Sequence, residues 1–295
     1  MADRSLIVVS GAPAEWRENA LRLDAKFVTG MSLYAQLWNG PVTAVIPERP
    51  GDVIFGHTYR LEELPFKVRV VPRIEQVDVA NLAEAHCILA SGDNGSLLGL
   101  VQKVPDPRRL VFVIEYVPQT RRQIVALDRP PGPRRWRSYL WLAWHEHRRA
   151  RAFAACGGIQ ANGYPAERHY GALNRNAMMY LDSRMGSRML STAKEHGARA
   201  ARRAEGRPIR LFHSGRLEPL KGAQDIAPFC RALAARGVSF TLDIYGRGSM
   251  ELELRCAAEE FGGRIRLHGG VDFAKVLVPR SRAEGDIFVS FHRQS

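Results

Sequence analysis

Short runs of apolar, often β-branched residues recur along this chain, and stretches with apolar residues three and four apart separate many of them. The runs predict strands at 5–10, 42–46, 52–56, 67–71, 87–91, 110–116, 177–181, 209–213, 239–245, 264–268 and 286–291. The helical spacing predicts helices at 75–85, 222–236 and 249–261, with further helical material near 273–281. Strands such as Val111-Phe112-Val113-Ile114 are apolar almost throughout. A strand of that kind suits a parallel sheet covered on both faces, because a sheet with one wet face alternates polar and apolar residues. Alternation of strand and helix then predicts an α/β protein with right-handed crossovers. The stretch from Met185 to Arg207 is rich in Ala, Arg, Gly and Ser. It reads as a link carrying a surface helix, which divides the chain into a first unit at 1–185, a linker at 186–207 and a second unit at 208–295.

Composition narrows the class. At 295 residues, 45% hydrophobic and 25% charged, the chain has the balance of a globular protein with room for two domains. It lacks a run of eighteen uncharged apolar residues, so no membrane-spanning helix is expected. The sequence opens Met1-Ala2-Asp3-Arg4 and enters Leu6-Ile7-Val8-Val9 without the features of a signal peptide, and four scattered cysteines fit a reducing cytoplasm. Cys87, Cys156, Cys230 and Cys256 are far apart and form no CxxC pair. They are expected as small apolar residues on buried faces, with neither disulfides nor a zinc site. Net charge is +13, and 37 of the 43 basic residues are arginine, spread along the chain. Such a surface favours anionic partners: sugar nucleotides, phospholipid headgroups or nucleic acid. Charge alone does not choose between them, and its dispersal makes nucleic acid the least expected.

The chemistry concentrates in Phe212-His213-Ser214-Gly215-Arg216-Leu217-Glu218-Pro219-Leu220-Lys221-Gly222. A strand ends here, Gly215 permits a tight turn, and a helix starting near Gly222 would aim its amide groups and positive dipole end at the loop. Arg216 offers a planar fork of donors and Lys221 a mobile ammonium, a pair suited to a diphosphate. Downstream, Phe240–Tyr245 runs into Gly246-Arg247-Gly248-Ser249, with Ser249 placed to cap the next helix. A third strand, in Gly263-Arg264-Ile265-Arg266-Leu267-His268-Gly269-Gly270, also ends in glycines.

These pieces, with Glu284-Gly285-Asp286-Ile287-Phe288-Val289-Ser290 in the fourth place, resemble in order and spacing the C-terminal domain of the retaining family 4 glycosyltransferases. The resemblance covers 208–291 motif by motif and the rest of the chain only in general layout. It implies a GT-B fold, with two doubly wound Rossmann-type domains facing a cleft. It further implies an enzyme that moves a sugar, with retention, from a nucleotide-diphosphate donor to an acceptor. Carried over by position, Arg216 and Lys221 neutralise the leaving diphosphate, Gly215 and Gly246 pass close to the donor, and Arg264 and Ile265 lie against the nucleobase. No Asp-x-Asp occurs, which fits a transferase needing no metal and no cofactor. An epimerase or phosphorylase of the same fold, or a non-catalytic basic nucleic-acid-binding protein, are the alternatives.

Two departures qualify the resemblance. The family follows its last strand with a Glu, seven residues and a second Glu, and this sequence stops at Ser295 before that point. The second domain is therefore expected to be incomplete and turnover weak or absent. Many relatives also carry a His after the strand that corresponds to His86-Cys87-Ile88-Leu89-Ala90, where this chain has Ser91-Gly92-Asp93-Asn94-Gly95. Asp93 is read as a cleft residue or, more simply, a loop cap. Glu115, at the end of the next strand, is a contact for acceptor or sugar hydroxyls or a satisfied strand-end carboxylate. Gly11, after the first strand, is a further donor-side candidate. No catalytic base is identified. His145-Glu146-His147 does not form a metal pair, since helical positions two apart diverge.

Residues 134–153 concentrate three of the five tryptophans and six arginines (134, 135, 137, 148, 149 and 151). Basic clusters around a Trp- and Leu-rich centre suit an interfacial helix on anionic lipid, at the inner membrane face, and a lipid-linked or polysaccharide acceptor would be coherent with it. The competing reading packs the Trp and Leu face on the N-terminal sheet and leaves the arginines in water.

Overall fold

The computed structural model describes residues 4–292 apart from 52, 54, 55, 78–81, 83, 84 and 184. Two compact units emerge, Met1–Pro118 with Trp136–Asp182, and Gln119–Arg135 with Ser183–Ser295.

The first unit contains β1 (Leu6–Val9), β2 (Ala14–Arg17), β3 (Ala20–Asp24), β4 (Val42–Pro47), β5 (Gly56–Arg60), β6 (Lys67–Val71), β7 (Cys87–Ser91), β8 (Leu110–Ile114), β9 (Gly158–Asn162) and β10 (Ala177–Tyr180). Seven of these form a parallel sheet in the order β10-β9-β8-β7-β1-β4-β6. Apolar residues line both of its faces. Ile7, Val9, Ile88, Ala90 and Phe112 enter one buried cluster, while Leu6, Val42, Ala44, Ile46 and Leu89 enter another. That double burial is why these strands read as continuous apolar runs. Chain order leaves β1 in one direction through β4 to β6 and in the other through β7 to β10. The switch point between β1 and β7 is where a ligand crevice forms in such sheets, at the carboxyl ends.

Three strands escape the apolar pattern. β2, β3 and β5 build a small antiparallel sheet whose hairpin turns through Glu18 at φ +53°, a left-handed conformation without a glycine to announce it. β9 carries Gly158, Gln160 and Asn162 among its five residues, so it lacks an apolar run although it lies between β8 and β10. Of the strand anticipated at 52–56, Gly56 is the first residue of β5, and 52, 54 and 55 lie outside the described residues. Of the helix at 75–85, the described residues include a 3-10 turn at Ile74–Gln76, and most of the remainder lies outside them.

In the second unit β11 (Ile209–Ser214), β12 (Phe240–Tyr245), β13 (Ile265–Gly269) and β14 (Ile287–Phe288) run parallel in the order β13-β12-β11-β14. Helices Ile226–Ala235 and Glu251–Glu259 help cover the core of Leu211, Phe240, Leu242, Ile244, Cys230 and Leu254. The strand expected over 286–291 reaches only Phe288, yet the chain beyond it stays engaged: Val289 donates its amide to Phe212 O. Within 186–207 lies the helix Ala193–Ala204, opened by a reciprocal cap between Thr192 and Glu195. Its Glu195 also pairs with Arg282 at 2.9 Å, and Arg202 pairs with Asp286 at 3.3 Å. The thiols of Cys156 and Cys230 are buried and Cys87 is half-buried, but Cys256 is exposed, against expectation; all four are unpaired thiols.

Candidate functional site

Strand order in the second unit also reverses beside β11, the strand that leads into the basic loop. The loop is built by glycines, though not by the one expected. Gly246 sits at φ +146°, and a β-carbon there would overlap the carbonyl oxygen of Gly215; one on Gly248 would overlap that of Leu217. The two loops therefore lie backbone on backbone, joined by Gly215 N–H to Tyr245 O (3.0 Å), Leu217 N–H to Arg247 O (2.9 Å) and Met250 N–H to Leu217 O (3.0 Å). Gly215 itself has no positive φ, and an added β-carbon would meet only His213 Nε2 at 3.7 Å. Its value is open space beside the strand end.

The helix expected near Gly222 begins later. Pro219–Lys221 and Ala223–Asp225 are 3-10 turns on either side of Gly222, which is left-handed at φ +73°, and the α-helix starts at Ile226. The left-handed residue breaks the helical repeat, and the carbonyl of Phe291 packs where its side chain would be. Glu218 fastens the loops together. Its carboxylate accepts Ser249 N–H at 2.9 Å and Ser249 Oγ–H at 2.5 Å, and those bonds hold its pKa below the usual carboxylate range. Ser249 is thus committed to Glu218, and the expected N-cap passes to Met250, which has no side-chain cap bond.

Arg216 is exposed; its carbonyl accepts Glu218 N–H at 2.9 Å, and after the Ser249 bonds its charge helps hold down the pKa of Glu218. Lys221 is half-buried, close enough to His292 that its charge, after burial, helps lower that imidazole's pKa. His213, 2% exposed, donates Nδ1–H to Val289 O at 2.9 Å. Burial lowers its pKa, so the ring is neutral and Nε2 keeps a buried lone pair with no partner among the described residues. Arg247 lies along Gly270, its Nε 3.8 Å from where a β-carbon would stand. Sequence reading missed His213, Glu218 and Arg247; all three sit inside the quoted motifs, and only their neighbours in space reveal their roles.

Arg264 and Ile265 are not brought to this edge. Ile265 opens β13 and is buried in the core. Arg264 precedes it, with its guanidinium 5.7 Å from the ring centres of both Phe240 and Phe261 and Nε donating to Phe261 O. Phe240 is the first residue of β12, so this is the amino edge of a parallel sheet whose glycine loops leave from the carboxyl edge. At about 3.3 Å per residue, the length of β13 separates the two. The strand end nearer the loops carries His268, which bonds Asp243 at 2.6 Å and stacks on Tyr245.

Gly11, Asp93 and Glu115 do converge. They line one cavity of about 370 Å³ with Ser10, Tyr34, Ser91 and Tyr116, at the switch point between β1 and β7. Asp93 Oδ2 accepts Glu115 N–H at 2.7 Å and Oδ1 accepts Tyr116 N–H at 3.2 Å, so it fixes the loop after β8. Glu115 is exposed at the cavity. Gly11 has no positive φ and ample room for a side chain. Burial raises the pKa of Tyr34, and burial followed by the charges of Glu115 and Asp182 raises that of Tyr180 strongly. Both phenols therefore remain hydrogen-bond donors at neutral pH. Among the described residues no three His, Cys, Asp or Glu side chains are grouped to hold a metal ion.

Two Rossmann-like units, each with a crevice position at the carboxyl edge of a parallel sheet, define the GT-B fold class. Solved structures agree. The chain matches Anabaena HepE in complex with UDP over 98% of its own length and 73% of that chain, with a TM-score of 0.53 and 13% identity. It matches the lipopolysaccharide outer core galactosyltransferase WaaB in its apo form over 97% and 73%, with a TM-score of 0.55 and 10% identity. WaaG, a glycosyltransferase involved in lipopolysaccharide biosynthesis, matches over 99% and 75%, with a TM-score of 0.53 and 13% identity. No protein-family model and no curated protein matches the chain. At these identities the likeness is one of fold.

Proposed function

We propose that this protein is a glycosyltransferase that moves a sugar, with retention, from a nucleotide-diphosphate donor to an acceptor hydroxyl. The observation that carries the reading is the pair of glycine loops locked together at the carboxyl edge of the second unit, with Arg216, Lys221 and Arg247 at that edge. In the transfer, the bond from the anomeric carbon to the diphosphate oxygen breaks, the acceptor oxygen bonds to the same carbon on the same face, and the acceptor's proton passes to an oxygen of the departing diphosphate. Negative charge then builds on the departing diphosphate. Cations already in place stabilise that charge more in the transition state than in the bound donor, and they do so without a metal. Gly215 keeps the space through which a phosphate oxygen can reach the strand end.

In the first unit the 370 Å³ cavity suits an acceptor, lipid-linked or polysaccharide, with Glu115 accepting from its hydroxyls and Tyr34 donating. Asp93 positions Glu115 through the backbone. The fold likeness to HepE, solved with UDP and with UDP-glucose, supports a sugar nucleotide as the donor. Isothermal titration with UDP and GDP tests the reading. One of the two is expected to bind, and Arg216→Ala and Lys221→Ala are each expected to weaken it at least tenfold. Salt-sensitive binding of duplex DNA with no affinity for either nucleotide would overturn it.

A further inference from the structure

The helix Pro133–Ala155 buries one face and leaves the other bare. His145, Arg149, Ala152 and Phe153 are buried; Arg149 is 2% exposed, donates Nε–H to Gly92 O at 2.9 Å and pairs with Glu146 at 2.7 Å. Arg149 therefore belongs to the core of the first unit and not to the basic surface. The tryptophans do the opposite. Trp136 is 69% exposed, Leu140 70% and Trp144 56%, so the expected packing of this face on the sheet is not what the chain adopts.

At 100° per residue, Trp136, Leu140 and Trp144 follow one another at i, i+4 and i+8, and Arg137, Arg148 and Arg151 fall on the same side, within an arc of about 120°. The helix's one carboxylate, Glu146, is held by Arg149 on the buried side. The outward face is thus apolar and aromatic along its middle, cationic at both ends, and free of acidic groups. Arg148 already rests its guanidinium 4.7 Å from the centre of the Trp144 ring, the pose in which an arginine keeps its charge at an apolar boundary. Trp141, its ring centre 3.7 Å from that of buried His145 with the planes tilted by 35°, flanks the stripe.

We propose that this face is a docking surface for an anionic lipid bilayer, into whose headgroup boundary Trp136, Leu140 and Trp144 insert while Arg137, Arg148 and Arg151 meet lipid phosphates. The occupant follows from the charge. Pairing two copies of the stripe would set cation clusters against each other with no carboxylate between, whereas an anionic headgroup layer neutralises them. Indole rings favour that boundary because their bodies are apolar and their N–H groups still reach water or lipid oxygens. Among the described residues no helix is long and apolar enough to cross a membrane, so the contact is a lateral one.

Flotation of the full chain with vesicles of phosphatidylcholine and phosphatidylglycerol at 7:3, and of phosphatidylcholine alone, tests this. The chain is expected to bind the anionic vesicles at least tenfold more tightly than the neutral ones. Trp136→Ser with Trp144→Ser, and separately Arg137→Glu with Arg148→Glu and Arg151→Glu, are expected to weaken the anionic binding at least tenfold. None of the substituted side chains is buried, and Arg148, the one half-buried among them, rests on exposed Trp144, so circular dichroism and melting temperature should stay at wild-type values. Equal binding by the variants, equal binding to neutral vesicles, or no vesicle binding at all would overturn the proposal. So would a dimer in sedimentation velocity, abolished by the tryptophan pair, in a chain that does not float.

Discussion

Replacing Gly246 by alanine tests whether the two glycine loops of the second unit are held by backbone contact. The substitution places a methyl group at φ +146°, a conformation that L side chains avoid at a cost of about 1–3 kcal/mol. It also drives that methyl into the carbonyl oxygen of Gly215, more than about 1 Å inside the usual C···O separation of about 3.3 Å. Relieving the overlap separates the loops and strains the bonds from Gly215 N–H to Tyr245 O and from Gly246 N–H to Gly269 O. Overpacking of this kind adds about 1–3 kcal/mol. A combined loss near 3 kcal/mol corresponds to about 10–15 °C in the melting temperature of a unit this size. Gly215→Ala is the matched control, because its methyl meets nothing closer than His213 Nε2 at 3.7 Å. It should melt at or slightly above the wild-type temperature, since alanine restricts the unfolded chain. On the proposed function it should nonetheless bind the nucleotide, UDP or GDP, more weakly than wild type, because its methyl fills the space proposed for phosphate. Calorimetric melts with and without that nucleotide read both effects. The reasoning fails if Gly246→Ala melts with the wild type, or if Gly215→Ala loses as much stability as Gly246→Ala.

Other outcomes follow from the same contacts. Arg149→Ala should destabilise the first unit by about 3 kcal/mol in urea, because it strands Glu146 and the Gly92 carbonyl, while Arg151→Ala should shift the midpoint little. Asp93→Ala should leave the amides of Glu115 and Tyr116 without their acceptor and speed their hydrogen exchange, with Asp93→Asn intermediate. Glu195 has its pKa held down to about 2, first by the Thr192 amide and then by Arg282. A depressed carboxyl stabilises the fold above its unfolded value near 4.3 and loses that contribution as pH falls toward 2. The slope of melting temperature against pH in that window should therefore flatten in Glu195→Gln.

Legibility in the sequence tracked burial. β7 falls at the expected position because two-sided burial writes an apolar run, whereas β6 at the sheet edge and β12 in the second unit were visible through alternation, Lys67 and Arg69 with valines and Thr241 and Asp243 between buried apolar residues. β2 and β3 were invisible because their hairpin turns on Glu18. The loop's cations were legible as residue types, whereas the roles of Glu218, Gly246 and His213 depend on neighbours distant in sequence, Ser249, Gly215 and Val289. Arg264 misled because position in a motif does not say which end of a strand a residue occupies. On the long helix, periodicity located a Trp-rich face but could not say which face met the sheet.

The left-handed turn at Gly222 sets an order of assembly. Its tight fit against Phe291, the edge-to-face contact of Phe291 with Phe229 and the bond from His213 to Val289 all join the basic loop and the helix after it to chain made some seventy residues later. Closing such long loops is slow in comparison with local structure. A nascent chain thus carries the loop's cations long before it can hold them in place, and the loop reaches its final form only when the segment after β14 has docked.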